Sequence, residues 1–169
     1  MTTIAKRFGV ARYRADEHYQ AALSAYSERN LNAAIGELEL SIELLPTHAE
    51  YHATLGLIRL ESKDKSAAKA AFERALALRP HELLANYGLG IIAYREKDWR
   101  KAADWFTNSL AAQPQRAETH YYLAMVNHRL GQNARAMTWM QSAKAHFARD
   151  KDRRESHCHA WLREFERLV

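Results

Sequence analysis

Residues 55–80 read LGLIRLESKDKSAAKAAFERALALRP, and residues 89–114 read LGIIAYREKDWRKAADWFTNSLAAQP. Each stretch opens on Leu-Gly and closes on Pro, and the second begins 34 residues after the first. The three prolines of the chain, Pro46, Pro80 and Pro114, keep the same spacing. A fixed period of this length predicts a stack of repeated units, because each unit can bury its apolar face only against its neighbours.

Small and bulky residues recur with the same period. Helices that approach closely need this alternation, because protein interiors are packed as densely as organic crystals. The small positions hold Ala34, Ala68, Ala102 and Ala136, then Ala22, Gly56, Gly90 and Ala124, then Ser41, Ala75, Ser109 and Ala143; one bulky position holds Leu38, Phe72, Phe106 and Met140. These columns extend the period to four units, although only three units have a proline.

The pattern resembles that of the tetratricopeptide repeat family. The residues that carry the resemblance are the Leu-Gly pairs at 55–56 and 89–90, Ala68, Ala102, Phe72, Phe106, Ala75, Pro80 and Pro114. The outer units depart from the family pattern, since Ala21-Ala22 replaces Leu-Gly in the first and Ala148 replaces proline in the fourth. The early aromatic column of the family is also missing, and its place is taken by His18, His52, Asn86 and His120.

The resemblance implies an all-α fold, a right-handed superhelical stack of about four helix–turn–helix repeats with a concave groove. The expected repeats span 15–48, 49–82, 83–116 and 117–150. Local sequence predicts helix pairs at 15–28 with 32–45, 49–62 with 66–78, 83–96 with 99–112, and 117–130 with 133–147. Asn30, Asp64 and Asp98 stand just before second helices, where their side chains are predicted to cap exposed backbone amides.

The segment 151–169 is predicted to form an amphipathic helix. Its apolar residues fall at spacings of three and four, as one stripe on a charged helix, and are Cys158, Trp161, Leu162, Phe165 and Leu168. We expect this helix to cap the open edge of the last repeat; the alternative is a helix offered to a partner.

The chain has 169 residues, a net charge of +5, and no apolar run of the length that a membrane span needs. Residues 1–14 form a basic segment, with Lys6, Arg7, Arg12 and Arg14 and no acid, whereas 15–48 sum to −5. The basic segment, with Ile4, Phe8 and Val10, is expected to lead into the first helix; an organellar targeting peptide is the alternative. The single cysteine fits a reducing compartment, so we expect a cytoplasmic protein.

The resemblance places partner binding in the concave groove, which the first helix of each repeat lines. The groove-facing positions hold Tyr19, Leu23, Tyr26, Leu57, Leu60, Tyr87, Ile91, Tyr94, Arg95, Tyr121, Met125, His128 and Arg129. Tyrosine combines a large apolar ring with a hydroxyl and loses little entropy on binding, so this lining suits a peptide. Arg95 and Arg129 could pair with carboxylates of that peptide. The alternative is that the tyrosines pack between first helices or against the C-terminal helix.

The expected function is a non-catalytic scaffold or adaptor that binds a peptide segment of a partner protein. A dedicated chaperone for a secreted or membrane-directed client is the alternative, and a self-assembling structural protein is a weaker one. The acidic first repeat and the basic later repeats would favour weak self-association. Nucleic acid is not an expected partner, because the positive charges are interleaved with acids.

No cofactor, metal or catalytic site is expected. His157-Cys158-His159 could suggest a metal site, but adjacent helical residues point about 100° apart and do not converge on one ion. Family members that bind the carboxylate tail of heat-shock chaperones do so with lysine, asparagine and arginine. The matching positions here hold Tyr19, Leu23, Thr54, Leu84 and Gly88, so binding of that kind is not expected.

Overall fold

The computed structural model describes residues 2–169, with side chains from Gly9 onward. Within these residues the chain forms nine α-helices and no strand, which confirms the predicted all-α fold of helix–turn–helix repeats. The helices are α1 (Thr2–Ser27), α2 (Leu31–Leu44), α3 (Ala49–Glu61), α4 (Lys65–Leu78), α5 (Leu83–Arg95), α6 (Trp99–Ala112), α7 (Ala117–Arg129), α8 (Asn133–Arg149) and α9 (Glu155–Glu166).

The ends of the helices differ from the prediction at both termini of the chain. The first helix begins at Thr2 rather than at 15, because nothing in 2–14 interrupts it; that stretch contains no proline and a single glycine, Gly9. The last helix, Glu155–Glu166, is shorter than the predicted segment 151–169. Met1 and the side chains of Ile4, Lys6, Arg7 and Phe8, on which the predictions for the basic segment partly rest, lie outside the described residues.

The predicted caps of three second helices are confirmed. The Oδ1 atoms of Asn30, Asp64 and Asp98 accept hydrogen bonds from the backbone amides three residues later, at 3.2, 3.0 and 3.2 Å. Each side chain thereby satisfies an amide that has no partner within the helix. The fourth second helix, α8, follows Gln132, whose side chain makes no such bond.

Three of the four residues that replace the missing aromatic column form hydrogen bonds with proline carbonyls. Nε2 of His52 lies 2.9 Å from the carbonyl oxygen of Pro46, and Nε2 of His120 lies 2.7 Å from that of Pro114. Asn86 donates to the carbonyl of Pro80 at 3.3 Å. Because a carbonyl can only accept, the imidazole Nε2 atoms carry a hydrogen. The same bond therefore ties the turn to the following first helix in three consecutive repeats.

Exchanging His120 for asparagine is expected to reduce the loss of stability on acidification. Burial, with a smaller contribution from His146, lowers the pKa of His120 from its ordinary value of 6.5. The unfolded chain then binds more protons than the folded chain once the pH falls below that value, so the folded state loses stability. Asn86 shows that an amide makes the same bond without titrating. Urea unfolding at about pH 7.5 and about pH 5 measures the effect; an equal loss in both proteins would contradict it.

The chain divides into two compact units, Met1–Gly88 (unit 1) and Leu89–Val169 (unit 2). In unit 1, the fully buried ring of Phe72 lies against Gly56 and Gly88, and a second cluster contains Leu38, Ile58 and Tyr51. In unit 2, the ring of Phe106 lies against Gly90. A further cluster in unit 2 joins α7, α8 and α9, with Met140, Phe147, Cys158 and Phe165 among its buried residues.

Candidate functional site

In unit 1, the two predicted tyrosines of α1 both contact α3. The hydroxyl of Tyr19 donates to Oε1 of Glu50 at 3.2 Å and lies 3.2 Å from Oγ1 of Thr54. The hydroxyl of Tyr26 donates to Oε2 of Glu61 at 2.6 Å. Successive members of the sets Tyr19, Leu23, Tyr26 on α1 and Glu50, Thr54, Leu57, Glu61 on α3 lie three or four residues apart, so each set shares one face of its helix. We call this face the unit 1 tyrosine surface; it comprises Tyr19, Leu23, Tyr26, Glu50, Leu57 and Glu61.

The pKa values of Tyr19 and Tyr26 are both raised, but by different interactions. Burial is the main reason why the pKa of Tyr19 is raised, and the neighbouring Glu50 adds to it. For Tyr26 the main cause is the hydrogen bond to Glu61, followed by burial. Both hydroxyls therefore stay protonated at neutral pH and keep donating to the carboxylates. These bonds restrict the rotation of the phenol rings.

Tyr51 completes the contacts between α1 and α3, and the sequence pattern did not single it out. Its ring lies 4.9 Å from that of Tyr19 and 4.1 Å from that of His48, measured between centroids. Its hydroxyl donates to Oδ1 of Asp16 at 2.5 Å. Burial and this carboxylate raise its pKa. The side chain is buried and packs against Tyr19 of the unit 1 tyrosine surface.

In unit 2, two exposed arginines interact with residues of an aromatic cluster. The ring of Tyr94 lies edge-on to Trp99 at 5.3 Å and to Tyr122 at 5.5 Å. The guanidinium of Arg129 lies 5.9 Å from the centre of the Trp99 ring, within the range of a cation–π contact. Arg95, at the equivalent position one period earlier, opposes the rise that burial causes in the pKa of Tyr122. We call Tyr94, Arg95, Trp99 and Arg129 the unit 2 cationic surface.

Most of the predicted residues of the fourth repeat are covered by α9. The ring of His128 lies 5.9 Å from Trp161 and 5.2 Å from Phe165. Tyr121 packs against the same cluster, where burial raises its pKa and a hydrogen bond with Trp161 opposes that rise. Met125 is buried in the cluster itself. Of the four predicted residues on α7, Arg129 alone is exposed.

The remaining predicted residues differ in their access to solvent. Leu60 and Ile91 are buried, so their side chains contribute to the interior. Leu23, Leu57 and Tyr87 are half-buried and keep part of their surface in contact with water. Sequence spacing places all of these residues on the groove-facing side but does not say how deeply each is covered.

The titratable residues give no support to metal or thiol chemistry. Among the residues whose side chains are described, no three His, Cys, Asp or Glu lie close enough together to hold a metal ion. Cys158 is fully buried, and burial raises the pKa of its thiol to about 11. The thiol is therefore protonated at neutral pH and is not a nucleophile. None of the described helices is both long enough and apolar enough to cross a membrane.

Comparison with known proteins identifies the family of the chain. The model of the tetratricopeptide repeat matches residues 53–117 and 98–152, which together make up more than half of the chain. The chain belongs to the tetratricopeptide repeat family. Membership in this family indicates a scaffold for protein–protein interaction, and its members are generally non-catalytic. A search of curated proteins found no significant match to this chain.

Solved structures of other tetratricopeptide repeat proteins share the fold. PilF of Pseudomonas aeruginosa is 17% identical, with a TM-score of 0.71 over 94% of this chain and 76% of PilF. MamA 41-end from Desulfovibrio magneticus RS-1 is 19% identical, with a TM-score of 0.66 over 91% and 96% of the two chains. The first TPR of Spaghetti (RPAP3), bound to the HSP90 peptide SRMEEVD, is 14% identical, with a TM-score of 0.67 over 70% and 97%. At these identities the likeness shows the fold.

Proposed function

We propose that this tetratricopeptide repeat chain is a non-catalytic scaffold that binds a peptide segment of a partner protein. The first-helix surfaces of the two units, rather than an enclosed pocket, are the binding sites. The observation that carries the proposal is Tyr26, whose side chain is 41% exposed while its hydroxyl is held by Glu61 at 2.6 Å. An exposed aromatic ring whose hydroxyl is already hydrogen-bonded within the chain loses little entropy when it contacts a partner.

The charges of the two surfaces suggest which parts of a partner each one binds. The unit 1 tyrosine surface carries the carboxylates of Glu50 and Glu61, and the unit 2 cationic surface carries Arg95 and Arg129. Glu61, Arg95 and Arg129 stand at the same position of consecutive repeats, so the sign of the charge reverses between the units. We infer that a carboxylate-bearing part of the partner binds at unit 2.

The HSP90 peptide bound by the first TPR of Spaghetti is not the partner proposed here. The positions at which family members bind the carboxylate tail of heat-shock chaperones carry no charge in this chain, with Tyr19, Leu23 and Leu84 among them. The compartment that we propose is the cytoplasm, because the single cysteine is a buried, unreactive thiol and needs no disulfide partner.

Replacing both Tyr26 and Tyr94 with alanine is expected to weaken the capture of partner proteins by about tenfold or more, because aromatic anchors dominate such interfaces. Tagged wild-type chain, the double variant and a control variant would each be incubated with extract of the native source, and retained proteins would be quantified by mass spectrometry. Tyr13→Ala is the matched control, since Tyr13 is 65% exposed but precedes the first repeat.

A partner must bind the wild type and the control and be lost from the double variant, with unchanged helicity by circular dichroism. Partners that bind all three proteins equally would show that the tyrosines are not the binding surface. A second copy of the chain with a different tag, added to the same experiment, tests weak self-association between the oppositely charged surfaces. That association should vanish at about 1 M salt, where charges are screened within about 3 Å.

A further inference from the structure

Unit 2 has a cleft of about 700 Å³ that contains none of the residues of the unit 2 cationic surface. It is lined by residues of α6, of α8 and of the second half of α7 with the turn that follows it. Leu123, which is buried, and the half-buried Leu130 and Trp139 provide apolar lining. Arg100 and Arg135 are exposed and line the cleft from α6 and α8. A cleft of this volume is within the range that holds a bound ligand.

In unit 1 the equivalent positions hold an ionic network. Nη2 of Arg59 on α3 lies 2.6 Å from Oε1 of Glu39 on α2, and its Nη1 lies 3.8 Å from Oδ2 of Asp64. The residues two repeat periods later are Thr107, Asn127 and Gln132, and all three line the cleft. Side chains that form ion pairs in unit 1 are thus replaced by neutral ones at the cleft.

The polar groups at the cleft are only partly used by the chain itself. Asn127 is 7% exposed. Its side-chain amide nitrogen donates to the carbonyl of Leu123 at 2.7 Å, and its Oδ1 remains available as an acceptor. Arg135 contacts Oε1 of Gln132 at 3.4 Å, a weak hydrogen bond. Within the part of the chain whose side chains are described, neither Arg100 nor Arg135 pairs with a carboxylate. With Asp104, the cleft carries a net charge of +1.

We propose that this cleft is a second binding site, which takes an extended segment of a partner protein with an apolar side chain beside carboxylates. The apolar side chain packs on Trp139, Leu123 and Leu130, and the carboxylates pair with Arg100 and Arg135. A backbone amide of the segment donates to Oδ1 of Asn127. The cleft shares no residue with the unit 1 tyrosine surface or the unit 2 cationic surface, so its proposed role does not depend on the function proposed for them.

The test transplants the network of unit 1 into unit 2. The triple variant Thr107→Glu, Asn127→Arg, Gln132→Asp places the side chains of Glu39, Arg59 and Asp64 at the cleft. The probe is the fluorescein-labelled peptide Gly-Ser-Phe-Glu-Glu-Ser-Gly, with Gly-Ser-Phe-Lys-Lys-Ser-Gly as its charge-reversed control. Binding to the full chain is measured by fluorescence anisotropy. A second variant, Arg100→Glu with Arg135→Glu, changes only exposed side chains and keeps the test valid if the triple variant is poorly folded.

The wild type should bind the glutamate peptide at least about tenfold more tightly than the lysine peptide, because Arg100 and Arg135 attract its carboxylates and repel the lysines. In an Arg95→Ala, Arg129→Ala background, which removes carboxylate binding at the unit 2 cationic surface, the arginine variant should reverse that preference and the triple variant should lose binding. Equal binding of both peptides, binding of neither, or full binding by a folded triple variant would overturn the proposal. So would self-association that the triple variant abolishes, which would make a second copy the occupant.

Discussion

Replacing Phe165 with alanine should lower the free energy of unfolding by about 3–5 kcal/mol, the range measured for large aromatic side chains in protein cores. The side chain has no exposed surface, and its ring lies 5.2 Å from His128 on α7 and 5.7 Å from Trp161 on α9. Its removal leaves a cavity in the cluster that joins α7, α8 and α9, which includes Met140 and Cys158. Unfolding in urea, followed by circular dichroism, measures the loss.

Leu168→Ala is the matched control for that experiment. Leu168 follows α9 but is 48% exposed, so its truncation removes little buried surface and should change the stability by less than about 0.5 kcal/mol. A similar, small effect of both substitutions would mean that α9 does not belong to the core of unit 2. The prediction that α9 caps the last repeat would then fail as well.

The second large effect is expected at the glycines that contact Phe72. A Cβ atom added at Gly56 would lie 2.5 Å from Cδ1 and Cε1 of the Phe72 ring, and one added at Gly88 would approach the same ring even more closely. The ring is fully buried and cannot move without disturbing its neighbours. Gly88→Ala should therefore destabilise the chain by about 1–3 kcal/mol, although alanine favours a helix more than glycine does.

The same substitution at Gly36 should have the opposite effect on the free energy of unfolding. It lies within α2, and a Cβ atom there would have no neighbour within 4 Å. Gly36→Ala should raise the free energy of unfolding by about 0.5–1 kcal/mol, because only the helix preference changes. Measuring both variants by urea unfolding separates the steric effect from the helical one. If Gly88→Ala were also stabilising, the packing of Phe72 described above would be wrong.

The fold follows from the sequence because its determinants are local and periodic. Prolines end the second helices, Asn30, Asp64 and Asp98 cap them, and small residues such as Gly56 mark where helices approach. The bonds from the His52 column to the proline carbonyls could not be predicted in the same way. They depend on how closely the turn approaches the helix, although a His or Asn six residues after each proline was a visible signal.

The candidate surfaces were predictable only in outline. Register alone assigned residues to the groove-facing side, and of these Tyr26 and Arg129 are exposed. It could not show that Met125 is buried, because that depends on the packing of α9. Trp99 was missed because it belongs to a second helix, where the pattern gave no reason to expect contact with Arg129.

Because Cys158 is buried, the rate at which a reagent labels its thiol reports the local opening of α9. Cys158 is the single cysteine of the sequence and has no exposed surface, so a thiol reagent can reach it only while α9 is detached. When reclosing is faster than labelling, the labelling rate equals the intrinsic rate of the exposed thiol multiplied by the fraction of open molecules. Labelling of the native protein therefore gives the free energy of local opening of its last helix, without denaturant and without any added probe.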